Sequence, residues 1–88
     1  MKILITGGLG YIGSNITLKL LKKNFTVIVV DNLCNSSRKT IKNIKYLSKK
    51  NFTFVKADCK NKNKIFKIFK KYRPNVVIHL AGLKSVSE

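Results

Sequence analysis

The chain has 88 residues, with 17 Lys, 2 Arg and three acids, for a formal net charge of +16. That length excludes a two-domain protein, and a 44% hydrophobic content falling into periodic runs excludes a disordered polycation. The longest apolar run, Val27 to Val30 with Phe25 just before it, is far short of the roughly 20 residues that cross a bilayer.

Lys2–Thr6 is apolar except at its ends and predicts a buried strand. Gly7-Gly8-Leu9-Gly10 breaks it. From Tyr11 to about Lys22, Ile12, Ile16, Leu20 and Leu21 recur at helical spacing with lysines between them. Thr26–Val30 predicts a second strand, and Asp31–Ser37 a polar loop. Ser37 to Ser48 spaces Ile41, Ile44 and Leu47 three apart, which suits an amphipathic helix with Ser36 or Ser37 as its N-cap. Phe52–Lys56 predicts a third strand. Asn61–Tyr72 predicts a third helix, with Ile65, Ile68, Phe69 and Tyr72 inward and Lys62, Lys64, Lys67, Lys70 and Lys71 in water. Arg73-Pro74 ends it, because the residue before proline is biased away from the helical region. Asn75–Leu80 predicts a fourth strand, and Ala81-Gly82 opens another loop.

The pattern is β-α-β-α-β-α-β. Near-continuous apolar strands imply a sheet covered on both faces, as in parallel α/β proteins. Right-handed crossovers and the doubly wound arrangement predict the strand order 3-2-1-4, a partial Rossmann-type sheet.

The charge alone points to a polyanion. Lys, Asn and Ile, the residues of A/T-rich codons, nevertheless supply 36 of the 88 residues, and the lysines are spread along the chain. A solvated basic surface set by coding bias is the preferred reading, so nucleic acid is not the expected partner. Cys34 and Cys59 form no Cys-x-x-Cys pair, and His79 is the one histidine, so no metal site is expected. Met1-Lys2 leads straight into the first strand without a signal-peptide h-region, so a cytoplasmic protein with reduced thiols and no membrane segment is expected.

The strongest local signal is Gly7-Gly8-Leu9-Gly10-Tyr11-Ile12-Gly13, which follows a predicted strand and opens a predicted helix. Gly7 permits the tight turn, Gly10 lets the backbone approach a pyrophosphate, and Gly13 lets the helix pack closely. The helix N-terminus then offers its N–H groups and positive dipole end to phosphate. A glycine-rich turn without a ligand is the bland alternative. Asp31 ends the second strand 18 residues after Gly13, where an acid hydrogen-bonds the adenosine ribose and repels a 2′-phosphate, favouring NAD over NADP. Arg38 and Lys39 nearby soften that preference, and a solvated loop aspartate is the alternative. Asp58 follows the third strand, near where adenine lies in this fold. It either accepts from the exocyclic amine or caps the third helix. His79 ends an apolar run and reads as a core histidine bonded to backbone rather than as a catalytic group.

These segments resemble a known family. Thr6-Gly7-Gly8-Leu9-Gly10-Tyr11-Ile12-Gly13 resembles the TGGxGYIG opening of the extended short-chain dehydrogenases/reductases. Asp31-Asn32-Leu33-Cys34-Asn35-Ser36 and His79-Leu80-Ala81-Gly82-Leu83-Lys84-Ser85-Val86 are similar to the DNLxNS and HFAGLKAV segments of the UDP-glucose 4-epimerase family. The resemblance is co-linear over essentially the whole chain. It implies an isomerase of galactose metabolism that interconverts UDP-glucose and UDP-galactose through a 4-keto intermediate, with NAD as cofactor. It implies that Gly7, Gly10, Tyr11, Ile12 and Gly13 hold the pyrophosphate. Asp31, Asn32, Leu33, Cys34, Asn35 and Ser36 would surround the ribose, and Asp58 and Cys59 would flank the adenine. Leu80, Ala81, Gly82 and Lys84 would run along the cofactor toward the nicotinamide. Cys59 stands in place of an aliphatic residue, Leu80 in place of an aromatic, and Ser87 where the family often has glycine.

The family's chemistry also needs a Ser/Thr and a Tyr-x-x-x-Lys pair beyond the fourth strand. Tyr46 and Lys50 have that spacing but precede the third strand, so they are a chance match, and no catalytic residue is assigned. Residues 1–88 are thus expected to be the N-terminal part of an NAD-binding domain, without the catalytic and sugar-binding portions and inactive alone, the parent enzyme being a homodimer. The alternatives are a non-catalytic nucleotide-binding module, the NAD-binding part of another nucleotide-sugar epimerase or dehydratase, and a basic polyanion-binding protein.

Overall fold

A computed structural model describes residues 1–33 and 37–80. In chain order the elements are β1 (Lys2–Thr6), α1 (Tyr11–Lys22), β2 (Thr26–Asp31), α2 (Arg38–Ser48), β3 (Thr53–Lys56), α3 (Lys62–Tyr72) and β4 (Val76–His79). The four strands form one parallel sheet in the order β3-β2-β1-β4. This is the α/β doubly wound arrangement expected from the strand and helix pattern.

The register explains the two-sided burial. Ile3, Leu4 and Ile5 pair with Val27, Ile28 and Val29 on one side and with Val76, Val77 and Ile78 on the other. Alternate side chains point to opposite faces of the sheet. Ile3, Ile5, Val27 and Val29 therefore join Leu9, Leu21 of α1 and Ile44 of α2 in one core. Leu4, Ile28 and Val30 join Ala57 and Ile68 of α3 in a second core on the other face. Full burial of each such aliphatic side chain is worth about 1.5–3 kcal/mol relative to exposure, so the two central strands dominate the stability.

Helix ends follow local chemistry. Asn61 caps α3, its Oδ1 accepting from the Lys64 N–H at 3.2 Å. Arg73, just before Pro74, closes α3 in the left-handed region at φ 48°. Ser37 holds the N-cap position of α2 without a side-chain bond among the described residues, and Ser36 lies outside them.

Three inward assignments shift. On α1 the buried stripe is Gly13, Thr17 and Leu21, while Ile12 is exposed. On α2 Ser48 is buried in place of Leu47. On α3 Ile68 is buried, Ile65 and Tyr72 pack beside it, and Phe69 is exposed. β4 is less covered than β1, with Val76 and Val77 both exposed. In a parallel sheet all four C-terminal strand ends lie on one rim, which places Thr6, Asp31, Lys56 and His79 along it.

Candidate functional site

The rim is organised by the loop between β1 and α1. Gly7 turns the chain with φ 73°, a left-handed conformation that favours glycine. Its N–H donates to the Val30 carbonyl at 2.7 Å, which ties the loop to β2. The Gly7 carbonyl then accepts from Gly10 N–H at 3.2 Å, and α1 begins with Ser14 N–H donating to the Gly10 carbonyl at 2.7 Å.

The glycines differ in what they permit. A Cβ on Gly13 would collide with the Gly7 carbonyl oxygen and lie 2.9 Å from Gly8 Cα. A Cβ on Gly8 would lie 2.7 Å from Val29 Cγ1. Gly8 was not among the expected site residues, although it stands within the same glycine run. A Cβ on Gly10 would meet only the Gly7 carbonyl oxygen, at 3.6 Å, an ordinary contact, and its φ of −71° suits any residue. The protein's own packing therefore does not require glycine at position 10. A side chain there would fill space before the first turn of α1, which has no acid and no side-chain cap among the described residues. The chemistry that this arrangement suits is a phosphate held by backbone N–H groups. Tyr11 and Ile12, at the start of α1, are exposed.

Asp31 lies at the end of β2, 8% exposed. Its Oδ2 accepts from Leu9 N–H at 3.1 Å and its Oδ1 from Leu33 N–H at 2.8 Å. One carboxylate thus joins the glycine loop to the segment after β2. Asn32 is exposed, and Leu33 is half-buried at φ 62°. Cys34, Asn35 and Ser36 lie outside the described residues, as do Ala81, Gly82 and Lys84.

Asp58 is exposed, and its Oδ1 accepts from Lys60 N–H at 2.9 Å, an Asx-type turn leading to the Asn61 cap. Asp58 shapes the approach to α3, and Asn61 is the capping residue. Cys59 is a half-buried free thiol. Burial pushes its pKa up, the Thr6 hydroxyl opposes this by hydrogen bonding, and the Asp58 and Asp31 carboxylates add to the rise.

Thr6 had no sequence signal beyond its place before the glycines. Its buried hydroxyl lies 2.7 Å from His79 Nδ1 and accepts from Leu80 N–H at 3.1 Å. His79 is exposed and bonded to a side chain, not buried and bonded to backbone as its apolar neighbours imply. The reason is its strand: β4 has a neighbour on one edge only among the described residues. Thr17 was missed too; its hydroxyl donates to the Gly8 carbonyl at 3.2 Å and holds the loop from below. Among the described residues no group of three metal-ligating side chains occurs, and no helix is long and apolar enough to cross a membrane.

A family model described as GDP-mannose 4,6 dehydratase matches residues 4–88. The chain belongs to that family. A UDP-glucose 4-epimerase of Klebsiella pneumoniae is 43% identical over 88 residues, covering 100% of this chain and 63% of the relative. One from Haemophilus influenzae is 46% identical, again over 100% of this chain but 26% of the relative. Among solved structures, UDP-glucose 4-epimerase of Stenotrophomonas maltophila, with bound NAD and formylated UDP-arabinopyranose, superposes with a TM-score of 0.88 at 32% identity, over 92% of this chain and 24% of that one. The Bifidobacterium longum enzyme, in complex with NAD+ and UDP, gives a TM-score of 0.89 at 30% identity, over 93% and 24%. The chain thus spans between about a quarter and two thirds of the length of these relatives.

Proposed function

We propose that residues 1–88 form the NAD-binding portion of a UDP-glucose 4-epimerase acting in galactose metabolism in the cytoplasm. The observation that carries this reading is the pairing of Gly10 with Asp31. Glycine at position 10 is not required by the protein's own sterics, yet it keeps the front of α1 open. Asp31, at the end of β2 on the same rim, is tied to that loop through the N–H of Leu9, the residue before Gly10. Phosphate before the helix and ribose beside the acid is the division of labour of a dinucleotide site. The similarity to epimerases solved with NAD supports the same cofactor.

In this reading the N–H groups at the start of α1 take the pyrophosphate. Asp31 accepts from the ribose hydroxyls and disfavours a 2′-phosphate by charge repulsion. Asn32 through Ser36 complete the ribose surroundings, Asp58 and Cys59 flank the adenine, and Leu80, Ala81, Gly82 and Lys84 extend toward the nicotinamide. Bound NAD supplies the hydride acceptor for oxidation at the sugar. The residues that bind the sugar and move its proton belong to other parts of the enzyme, so residues 1–88 alone bind cofactor without epimerising.

Calorimetric titration with NAD and NADP tests this. NAD binding that exceeds NADP binding, with no conversion of UDP-glucose to UDP-galactose by the 88-residue chain, is the expected result. Preference for NADP, or turnover by this chain alone, would overturn it.

A further inference from the structure

The outer edge of β3 carries a second, unrelated surface. β3 pairs with β2 alone among the described residues, so its other edge presents backbone N–H and C=O groups. Cations flank that edge on both faces of the sheet. On the α2 face, Arg38 sits over the Phe54 ring at 5.5 Å and Lys45 over the Phe52 ring at 5.5 Å. On the α3 face, Lys64, Lys67 and Lys71 rim a groove with Val55, Ile68 and Tyr72 in its lining. Coding bias accounts for the number of lysines; what distinguishes this place is that cations on both faces meet one open strand edge.

We propose that the β3 edge is a docking surface for an extended acidic peptide segment, which adds to the sheet as a further strand. A strand projects successive side chains to opposite faces. A run of acids would therefore place alternate carboxylates against Arg38 and Lys45 on one face and against Lys64, Lys67 and Lys71 on the other. The backbone bonds the open edge, and side-chain methylenes rest on Val55 and Tyr72, the usual logic of strand addition. A second copy of this chain is disfavoured there, because its own β3 would bring the same cations together. A nucleic-acid strand matches the charge, and its phosphates accept from N–H groups, but it lacks the evenly spaced alternation of donors and acceptors that continues a β-ladder.

The test is fluorescence anisotropy with a labelled octaglutamate peptide. The comparison ligands are a proline-interleaved peptide of equal charge, which lacks donors for strand pairing, and an oligouridylate of equal charge. Two variants of equal net charge are compared, one carrying Lys64→Glu, Lys67→Glu and Lys71→Glu, the other Lys19→Glu, Lys22→Glu and Lys23→Glu at the C-terminal end of α1. All six lysines are exposed, and far-UV circular dichroism checks that both variants fold. The expected result is octaglutamate binding weakened about tenfold or more by the α3 triple and much less by the α1 triple, with the proline peptide binding weakly to the parent chain. Equal losses in both variants would show a diffuse charge effect and overturn the proposal. Oligouridylate binding as tight as octaglutamate, and lost in the same variant, would overturn it in favour of a polyanion surface.

Discussion

Asp31 Oδ2 accepts the backbone N–H of Leu9 at 3.1 Å across 22 residues of chain, while its Oδ1 accepts Leu33 N–H at 2.8 Å. The carboxylate that the sequence marks as a ribose ligand is also the clasp of the glycine loop. Asp31→Ala removes both acceptors and strands the buried Leu9 N–H. Unfolding free energy should fall by about 1–3 kcal/mol, the cost of an unsatisfied buried polar group, as read from urea denaturation. NAD binding should fall further than stability explains, because the loop and the ribose contact are lost together. A variant as stable as the parent, with weakened NAD binding, would show that the clasp carries no energy.

Gly8, Gly10 and Gly13 should separate under substitution by alanine. Gly13→Ala meets the Gly7 carbonyl, a backbone obstacle, and should destabilise most, because a clash with backbone has no cheap relief. Gly8→Ala presses on Val29 Cγ1, in the fully buried centre of the sheet, and should cost about 1–3 kcal/mol. Gly10→Ala should leave the thermal midpoint nearly unchanged while sharply weakening NAD. Calorimetric scanning and titration on the three variants would check this, and a strong destabilisation by Gly10→Ala would contradict the role assigned to that position.

The fold was legible because its signals are local. Four β-branched runs, three lysine-faced helices and a glycine run after the first strand determine a parallel sheet and its order. The inward faces were less legible. Hydrophobicity marks Leu21 and Ile44 correctly, but it also marks Ile12, Leu47 and Phe69, which are exposed, and it misses Gly13, Thr17 and Ser48, which are buried. Small residues are buried there because the helix, loop and sheet approach closely, and a hydrophobic pattern carries no information about approach distance. His79 shows the same limit. Its apolar neighbours suggest a core position, but coverage depends on which strand stands at the edge. Of the candidate site, the spacing marks Gly7, Gly10, Gly13 and Asp31. It does not mark Thr6, Gly8 and Thr17, because their roles are set by partners far away in sequence or by contacts inside the loop.

Thr6 joins β1 to β4 through one hydroxyl, 2.7 Å from His79 Nδ1 and 3.1 Å from the Leu80 nitrogen. Thr6→Val keeps the shape and removes the hydroxyl. The Leu80 N–H still donates to the Thr6 carbonyl at 2.9 Å, so no buried donor is orphaned and the loss should be near 1 kcal/mol, the net value of an ordinary hydrogen bond. Thr6→Ser should restore most of it. In a double-mutant cycle with His79→Phe, the coupling between positions 6 and 79 should be about 0.5–1.5 kcal/mol. A coupling of zero would mean that the pair contributes nothing to holding the two strand ends together.

Cys59 gives a pH prediction with a defined sign. Burial raises its thiol pKa, with Asp58 and Asp31 adding and the Thr6 hydroxyl opposing. In the unfolded chain the thiol ionises near its ordinary value of about 8.5. Between that value and the higher folded value, the unfolded state has lost a proton that the folded state keeps. The contribution to stability is therefore fully present below the ordinary thiol value and is lost as pH rises through the folded one. Urea unfolding at about pH 7 and about pH 9.5 should show a larger fall in stability for the parent than for Cys59→Ser, which has no thiol to titrate. Thr6→Val should steepen the fall, since it removes the bond that favours the thiolate. Iodoacetamide should accordingly label Cys59 in a Cys34→Ser background only at higher pH than it labels free cysteine. Labelling at or below the pH dependence of free cysteine would show that burial does not control this thiol.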